Sequence, residues 1–304
     1  DEEGFAKAHA SPSVRRFARE LGVDLSRVSG SGVKSRITHE DVKAFVKATM
    51  EGEAAPGVQG LPPVPEVDFA KYGEVEVTPL TRIQKISGPR LHASWVNLPH
   101  VTQFDEADIT ELEDRRKELK DKAMERGARL TPLAFIVAAV VKTLAEFPVF
   151  NASLDAAGEN LVFKKYFHIG FAADTPNGLV VPVIKNAESR SLLGIARELG
   201  ELSEKARDGK LAATDMQGGC FTVSSLGGIG GTAFTPIINA PEVAILGVSR
   251  STMKPVYQDD KFVPRLTLPL SLSYDHRVID GAAAARFTRY LAGQLEDPDG
   301  LILF

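Results

Sequence analysis

The stretch Ser273-Tyr-Asp-His-Arg-Val-Ile-Asp-Gly281 determines how the second half of the chain is interpreted. Before it, residues 266–273 alternate between apolar and small polar side chains, which predicts a strand. After it, residues 281–291 contain four successive alanines and an apolar face, which predicts a helix. Functional side chains often lie where a regular element gives way to a loop, so His276 is a candidate reactive residue. A structural histidine in a turn is the alternative interpretation.

Strands and helices alternate on both sides of this stretch. Predicted strands cover 162–171, 179–184, 221–224 and 242–248, and predicted helices cover 108–126, 131–144 and 192–207. The helix over 131–144 is apolar on nearly every side and is expected to be buried. The pair Asn177-Gly178 predicts a tight turn before the strand over 179–184. No internal repeat is found, and the pattern indicates a mixed α/β fold.

The first 50 residues have a different pattern. Ser13 to Leu21 has helical spacing, with Pro12 at the first turn and Gly22 at the stop. Thr38-His-Glu-Asp41 is a variant capping box that opens a second helix. A helical unit of about 40 residues is near the lower limit for folding without disulfides. Its composition predicts a small all-α domain.

Three segments follow from these patterns. The small helical domain covers 9–47, a Pro/Gly/Ala-rich linker covers 48–76, and the mixed α/β domain covers 77–304. Within the linker, Glu53 to Pro65 is rich in Pro, Gly and small residues and is expected to be extended.

Charge and composition exclude several classes of protein. The chain has 304 residues and a net charge of −4, which argues against general nucleic-acid binding. Residues 4–48 nevertheless carry a balance of +5, so a basic module precedes an acidic one. The longest apolar run, Leu133 to Val141, is half of a membrane span, and no signal peptide is visible before it. One cysteine, Cys220, excludes an intrachain disulfide and a cysteine-cluster metal site, and it is expected to be a small buried hydrophobe.

Two other local patterns carry weaker signals. The run from Ser224 to Gly231 is rich in glycine but lacks the Lys-Ser/Thr of a phosphate-binding loop, so a tightly turning or flexible loop is expected. The Ser224 hydroxyl at its edge could donate a hydrogen bond to an oxyanion. The remaining histidines lack metal-like spacing, although His100 could line a cleft.

The motif His276-x-x-x-Asp280-Gly281 resembles the signature of the dihydrolipoamide acyltransferases of 2-oxo-acid dehydrogenase complexes. The resemblance covers 77–304 and is closest to the pyruvate dehydrogenase branch. It rests further on these stretches: Pro99 to Thr102, Asp174 to Val183, Phe221 to Ser224, Asn239 to Gly247 and Leu272 to Phe287. It implies a chloramphenicol-acetyltransferase-like mixed sheet with helices.

The resemblance also implies an activity, the transfer of an acetyl group from S-acetyldihydrolipoyl-lysine to coenzyme A without a metal. His276 would act as the base and the Ser224 hydroxyl would stabilise the oxyanion. Asp280 would orient the site through an arginine, for which Arg82 is the candidate. Three alternatives stay open: an acyltransferase of another 2-oxo-acid complex, a non-catalytic core paralogue, and a stand-alone acetyltransferase for a small hydroxylated molecule.

Residues 9–47 resemble the peripheral subunit-binding domain of the same family, through Pro12 to Arg15, Ala18-Arg19 and Ser35-Arg36. The family usually has glycine where this chain has Ser35. The resemblance implies that Arg15, Arg19 and Arg36 bind acidic surfaces of dihydrolipoyl dehydrogenase and of the pyruvate decarboxylase component.

Assembly is implied by the resemblance as well. Family members form trimers, with His276 of one subunit facing Ser224 of the next, and the trimers join into hollow cubes or dodecahedra through C-terminal contacts. The apolar end Leu301 to Phe304 is expected to insert into a neighbouring subunit, and docking on the chain's own core is the alternative. No lipoyl domain is expected before Pro12, so the lipoyl group would come from an upstream domain absent from this chain. A bacterial cytoplasm is favoured over a mitochondrial matrix.

Overall fold

The computed structural model describes residues 9–50, 64–176 and 178–302. These fall into two compact units that divide between Val77 and Thr78. Residues 51–63 of the predicted linker, Asn177 of the predicted turn and the final residues Leu303 and Phe304 lie outside the described residues. No helix in the described ranges is both long and apolar enough to cross a membrane.

The first unit is a small helical domain, as the sequence predicts. Helix α1 (Pro12–Glu20) and helix α2 (His39–Met50) flank a single 3-10 turn at Leu25–Arg27. The Ser11 hydroxyl accepts a hydrogen bond from the Val14 amide at 3.3 Å and so begins α1. Seven apolar side chains make the buried core: Val14, Ala18, Val23, Leu25, Val28, Ile37 and Val42.

The predicted capping box at the start of α2 is present. The Thr38 hydroxyl accepts from the Asp41 amide at 3.3 Å, and the Asp41 carboxylate accepts from the Thr38 amide at 2.8 Å. The same carboxylate accepts from the Ser31 amide at 3.0 Å. These bonds, those from Ser31 above all, hold the pKa of Asp41 well below its usual range. The cap therefore also ties the preceding loop to α2.

A mixed seven-stranded sheet forms the centre of the second unit. The strands of this unit are β1 (His100–Asp108), β2 (Ala152–Leu154), β3 (Leu161–Phe163), β4 (Ile169–Phe171), β5 (Val183–Ile184), β6 (Phe221–Ser225), β7 (Ala244–Val248), β8 (Thr252–Gln258) and β9 (Lys261–Asp275). The order in the sheet is β1-β9-β7-β6-β4-β5, with β8 paired to the first half of β9, while β2 and β3 form a separate pair. Neighbours β4, β6 and β7 are parallel and the other pairs are antiparallel. The mixed α/β prediction is confirmed.

Helices cover this sheet and close its core. They are α3 (Arg82–Asn97), α4 (Thr110–Glu125), α5 (Pro132–Glu146), α6 (Leu192–Arg207), α7 (Gly281–Glu296) and α8 (Asp299–Ile302). Helix α5 is buried from Ala134 to Val141, as its apolar sequence predicts, and it packs against α6 and α7. Phe287 of α7 stacks on Phe150 at a ring distance of 4.1 Å and lies 5.9 Å from Phe221 of β6. Helix α7 is thereby fixed on the sheet.

Two elements differ from the sequence prediction near the start of this unit. Helix α3 was not predicted, because Gly88 and Pro89 interrupt its helical pattern. Its only strong local signal is a capping box between Thr81 and Gln84, which the structure contains. The helix predicted from Asp108 begins instead at Thr110, since Asp108 ends β1 and its carboxylate accepts from the Thr110 amide at 3.0 Å.

Two predicted strands are shorter than expected and one is longer. The segment 162–171 splits into β3 and β4, because the Asn151 side chain binds the carbonyls of Lys164 and Tyr166 between them. In 179–184 only the last two residues form β5, because Pro182 has no N–H to donate. Strand β9 begins at Lys261, where the hairpin with β8 extends it.

Leu301 and Ile302 pack against their own chain, whereas insertion into a neighbouring subunit was expected for residues 301–304; Leu303 and Phe304 lie outside the described residues. Leu301 is fully buried in the core of the second unit, and Ile302 packs against the same core. The Lys142 ammonium group donates to the Gly300 carbonyl and holds α8 against α5. A fold-back turn thus buries Leu301, the first of the four apolar residues that were expected to insert into a neighbour.

Candidate active site

The turn that carries His276 is held by the buried carboxylate of Asp275. Asp275 accepts from the Arg277 amide at 3.0 Å and from two guanidinium nitrogens of Arg277, the shorter at 2.7 Å. Its hydrogen bond raises the pKa of Arg277. The Asp275 carbonyl also accepts from the amides of Val278 and Ile279, both at 3.0 Å. The backbone on both sides of His276 is therefore fixed.

His276 itself is exposed at the end of β9. Its amide donates to the Pro99 carbonyl at 3.0 Å, and its ring lies 5.9 Å from the Tyr274 ring. No hydrogen bond joins its imidazole to any residue that the structure describes. The imidazole is thus held at its backbone and open to solvent, so it can exchange a proton with a bound ligand.

Asp280 lies four residues later and begins α7. Its carboxylate accepts from the Ala283 amide at 2.7 Å, which is the N-cap of the helix. Burial first, and then the Asp280 charge, raises the pKa of Tyr274. Arg82 is exposed at the first residue of α3, and Asp280 forms no ion pair within the described ranges. In one chain Asp280 shares the turn with His276 and is not joined to Arg82.

Ser224 lies near the end of β6 and is half-buried. The loop after it begins with the Leu226 amide bonded to the Val248 carbonyl at 2.8 Å, and the Leu226 carbonyl then accepts from Gly230 at 3.0 Å. Gly230 and Gly231 have φ of 152° and 85°, a conformation that favours glycine. The glycine-rich run is therefore a tight turn beside the serine.

The sheet register separates Ser224 from His276. Ser224 pairs with Gly247, and Gly247 pairs with Ser271 of β9. His276 lies five residues beyond Ser271. Since β9 runs antiparallel to β6 and β7, those five residues lead away from the C-terminal end of β6. Strand rise and spacing put the two Cα atoms roughly 17 Å apart along the strands and about 10 Å apart across them. The two side chains of one chain cannot contact the same reacting atom, for which about 3 Å is needed.

His100 was considered a cleft-lining residue, and its ring has a different use. Its Nε2 accepts from the Ile238 amide at 3.0 Å, so the proton lies on Nδ1, which donates to the Leu98 carbonyl at 2.7 Å. Both ring nitrogens are thereby occupied by backbone groups. His100 ties residue 238 to the start of β1, close to the Pro99 carbonyl that binds the His276 amide.

A groove of about 390 Å³ lies between α3 and residues 238–240. Arg90, Ser94 and Asn97 line it with polar groups, and Leu91 and Leu98 line it with apolar ones. It adjoins Pro99 at the Leu98 end of α3. No group of three or more His, Cys, Asp or Glu side chains in the described part of the chain could hold a metal ion.

Glu242 is a buried acidic residue near the His276 turn that sequence reasoning missed. It was assigned to the start of a strand, but its side chain is buried and burial raises its pKa to about 7. Its Oε1 accepts from the Thr222 hydroxyl at 2.9 Å and from the side-chain Nδ2 of Asn239 at 3.1 Å. The only local signal was an acidic residue directly before an apolar strand. Cys220, expected to be a small buried hydrophobe, is buried.

The three arginines singled out by sequence lie in the first unit. Arg15 is half-buried on α1 and its guanidinium approaches the Ala10 carbonyl at 3.4 Å, while Arg19 and Arg36 are exposed. A parallel bridge pairs Ala10 with Ile37, so Arg15 and Arg36 flank the same segment. Ser35 has φ of 57°, which explains why glycine is favourable there.

Two families match the chain. Residues 72–303 match the family described as 2-oxoacid dehydrogenases acyltransferase (catalytic domain), and residues 8–43 match the E3-binding domain.

Individual relatives agree with these matches. The chain is 60% identical to the dihydrolipoyllysine-residue acetyltransferase component of the pyruvate dehydrogenase complex of Cupriavidus necator, over 95% of this chain and 54% of that protein. It spans about half the length of the curated relatives it matches.

Two solved structures are similar to it. One is the Azotobacter vinelandii dihydrolipoamide acetyltransferase, in a crystallographic and enzymatic study of the roles of a serine, a histidine and an asparagine in its catalytic mechanism. It is 60% identical with a TM-score of 0.78, over 80% of this chain and all of that one. The other is the cubic core of a pyruvate dehydrogenase multienzyme complex, 59% identical with a TM-score of 0.78 over the same shares.

Proposed function

The chain belongs to the 2-oxoacid dehydrogenase acyltransferases, and from this premise we propose that it transfers an acetyl group from S-acetyldihydrolipoyl-lysine to coenzyme A. The observation that carries this proposal is the exposed imidazole of His276 on a turn fixed by Asp275 and Arg277. The pyruvate dehydrogenase assignment of the relative at 60% identity supports the acetyl group.

The chemistry needs one base and one oxyanion donor. The imidazole of His276 takes the proton of the coenzyme A thiol, since a thiol near pKa 8.5 is mostly protonated at neutral pH. The thiolate sulfur then bonds to the thioester carbonyl carbon, and the Ser224 hydroxyl donates to the resulting oxyanion. When the intermediate collapses, the bond to the dihydrolipoyl sulfur breaks and that thiolate takes the proton back from His276.

The serine, histidine and asparagine studied in the Azotobacter protein support these roles. They are spaced along that chain as Ser224, His276 and Asp280 are in this one, with an asparagine in the place of Asp280. Asp280 caps α7, so its contribution is to orient the turn after His276. This substitution makes Asp280→Asn a mild variant, since asparagine is an equally good N-cap.

A complete site needs two copies of the chain. Ser224 and His276 lie at the C-terminal ends of strands that run in opposite directions, so in this proposal the base of one subunit meets the hydroxyl of another. We assign this arrangement to a homotrimer, in which each interface contains one site. The likeness to a cubic core supports assembly of these trimers into a larger particle.

The assembly proposal has its own test. Deleting Leu303 and Phe304 leaves Leu301 in its own core, so the chain is expected to fold. If the end of the chain joins trimers, sedimentation will show active trimers in place of the large particle. A truncated protein that sediments as the full particle would assign the contact between trimers elsewhere.

The small unit is proposed to bind partner enzymes of the complex, dihydrolipoyl dehydrogenase and the pyruvate decarboxylase component. Its match to the E3-binding domain and the arginines at 15, 19 and 36 support this. Replacing all three by alanine should abolish binding to an acidic partner surface, and added salt should weaken wild-type binding. Equal affinity of the triple variant and the wild type would contradict the assignment.

The substrate assignment is tested with S-acyldihydrolipoamides free in solution, which stand in for the acylated lipoyl domain. Rates of transfer to coenzyme A are compared for the acetyl, succinyl and isobutyryl thioesters. Preference for acetyl supports the pyruvate dehydrogenase branch, whereas preference for another group assigns another 2-oxo-acid complex. Absence of all transfer assigns a non-catalytic core protein. The relatives compared are bacterial, which supports a bacterial cytoplasm as the compartment.

A further inference from the structure

Glu242 lies in the connection between the glycine-rich loop and β7, and its side chain bonds this connection to β6. Its side chain is 2% exposed, and its Oε1 accepts from Thr222 on β6 and from Asn239 on the connection. Its Oε2 is buried and has no partner in the described part of the chain. A buried acidic side chain kept in this way calls for an explanation, because a partly satisfied carboxyl costs free energy.

The connection is held at a second point by a different pair of side chains. The Ser153 hydroxyl donates to the Pro241 carbonyl at 2.6 Å, and the Lys164 ammonium group donates to that hydroxyl at 2.7 Å. The Glu242 amide also donates to the Asn239 carbonyl at 3.1 Å. Residues 239–242 are thereby fixed on two sides, and Glu242 supplies the tie to the sheet.

The connection in turn contacts both sides of the His276 turn. The Val243 carbonyl, next to Glu242, accepts from the Asp275 amide at 2.9 Å. At the other end, the Ile238 amide donates to His100 at 3.0 Å, and the His276 amide donates to the neighbouring Pro99 carbonyl at 3.0 Å. A shift of residues 238–243 would therefore displace the backbone of His276.

The charge of Glu242 changes near neutral pH. Burial raises its pKa to about 7, against the hydrogen bonds from Thr222 and Asn239 and the charge of Lys164. The titratable groups that face it are Lys164, from the segment between β3 and β4, and the Cys220 thiol at the start of β6. Burial lowers the pKa of Lys164 and raises that of Cys220, so the thiol is neutral there. Ionised Glu242 makes charge-assisted bonds to Thr222 and Asn239, which are stronger than the neutral ones.

We propose that Glu242 is a positioning residue for His276, which acts by tying residues 238–243 to β6 and holds them more firmly when its carboxylate is ionised. This inference rests on the proposed acetyl transfer and adds a group that does not touch the reacting atoms. It implies that kcat rises with pH partly through Glu242, while KM for acetyl-coenzyme A does not depend on it.

The experiment compares steady-state transfer of acetyl from acetyl-coenzyme A to free dihydrolipoamide between about pH 6 and about pH 8.5, the range in which such a group titrates. Glu242→Gln keeps the shape and cannot ionise. Its kcat is expected to fall about fivefold at the alkaline end and less at the acid end, with KM unchanged. Asn239→Ala removes the second donor to the same carboxylate from an exposed residue, so it should fold and flatten the profile in the same direction.

Coupling and specificity are tested with two further variants. The double variant Glu242→Gln with Asn239→Ala should be no slower than the slower single variant, because both changes act through the Glu242 side chain. Glu188→Gln is the matched control, since Glu188 also has a buried oxygen without a partner among the described residues but lies in the separate turn Ala187–Ser189. Its pH profile should match the wild type.

The outcomes separate this inference from the proposed function. An active wild type together with a Glu242→Gln variant that keeps the wild-type pH profile overturns the positioning role alone. A change in KM with unchanged kcat also overturns it, because the effect would then lie in binding. Absence of transfer by the wild-type protein overturns the proposed function instead.

Discussion

The C-terminal ends of β9 and β6, which carry the two halves of the proposed site, differ in how they are held. At the end of β9, the side chains of Asp275 and Arg277 and the carbonyl groups of Pro99 and Val243 fix the backbone around His276. At the end of β6, Ser224 precedes a glycine turn, and no described group hydrogen-bonds its hydroxyl. The difference teaches that the backbone of His276, the proposed base, is fixed by its own chain. In the proposed site the Ser224 hydroxyl donates to a ligand that another copy helps to bind.

The largest effect on activity is expected from His276, at the C-terminal end of β9. His276→Ala should lower kcat by about 100- to 1000-fold or more, the size of a general acid–base contribution. Folding should be almost unaffected, because the exposed ring makes no hydrogen bond to a described residue and the backbone bonds remain. Initial rates and a thermal melt of the same sample test both parts. A loss smaller than about tenfold would remove His276 from the role of base.

Substitution of Ser224, at the C-terminal end of β6, should change kcat alone. Ser224→Ala removes an oxyanion donor, an effect of about 3–4 kcal/mol or roughly 100-fold or more in rate. The affinity for coenzyme A should stay close to that of the wild type, since the oxyanion exists only along the reaction path. Steady-state kinetics with coenzyme A as the varied substrate separates the two. A large change in affinity with normal turnover is the contrary result.

Mixing the two variants tests whether the two strand ends meet across subunits. If each site takes His276 from one chain and Ser224 from the next, an equal mixture of His276→Ala and Ser224→Ala chains should regain about a quarter of the wild-type sites. The two chains are co-expressed with different tags, and the specific activity of the doubly purified particle is measured. Activity no higher than that of either parent would place both side chains in one subunit's site or separate their roles.

The smallest effect is expected from Glu242, whose side chain ties residues 238–243 to β6 and so supports the His276 turn. Because the folded pKa of Glu242 is raised to about 7, its contribution to stability is full below the ordinary pKa of 4.5 and is lost as the pH rises through about 7. Glu242→Gln has no such loss. The variant should therefore gain stability relative to the wild type between about pH 5 and about pH 8, by about 3 kcal/mol at most.

Urea unfolding at both pH values, at one protein concentration, measures this change. The concentration is kept constant because oligomer stability depends on it. A difference between variant and wild type that is the same at both pH values would mean that the carboxyl does not titrate in this range.

Much of the fold could be predicted from local pattern. The alternation over 266–273, the apolar stretch 131–144 and the alanine-rich stretch after Gly281 each determine their element within one window of sequence. Helix α3 could not be predicted in this way, because Gly88 and Pro89 disrupt its pattern. Strand β1 was missed for a related reason. Its inner and outer faces both mix polar and apolar residues, and only pairing with β9 makes it a strand.

The sequence by itself determined which chemical groups are available. Local pattern makes His276 and Ser224 candidates, because turns and strand ends depend on short-range contacts, and the family resemblance adds Asp280. Only the tertiary structure decided that Ser224 and His276 lie at opposite ends of the strands, and that the Glu242 carboxyl is buried with a raised pKa. Strand order, register and burial arise from contacts between residues far apart in the chain, and no local window of sequence contains them.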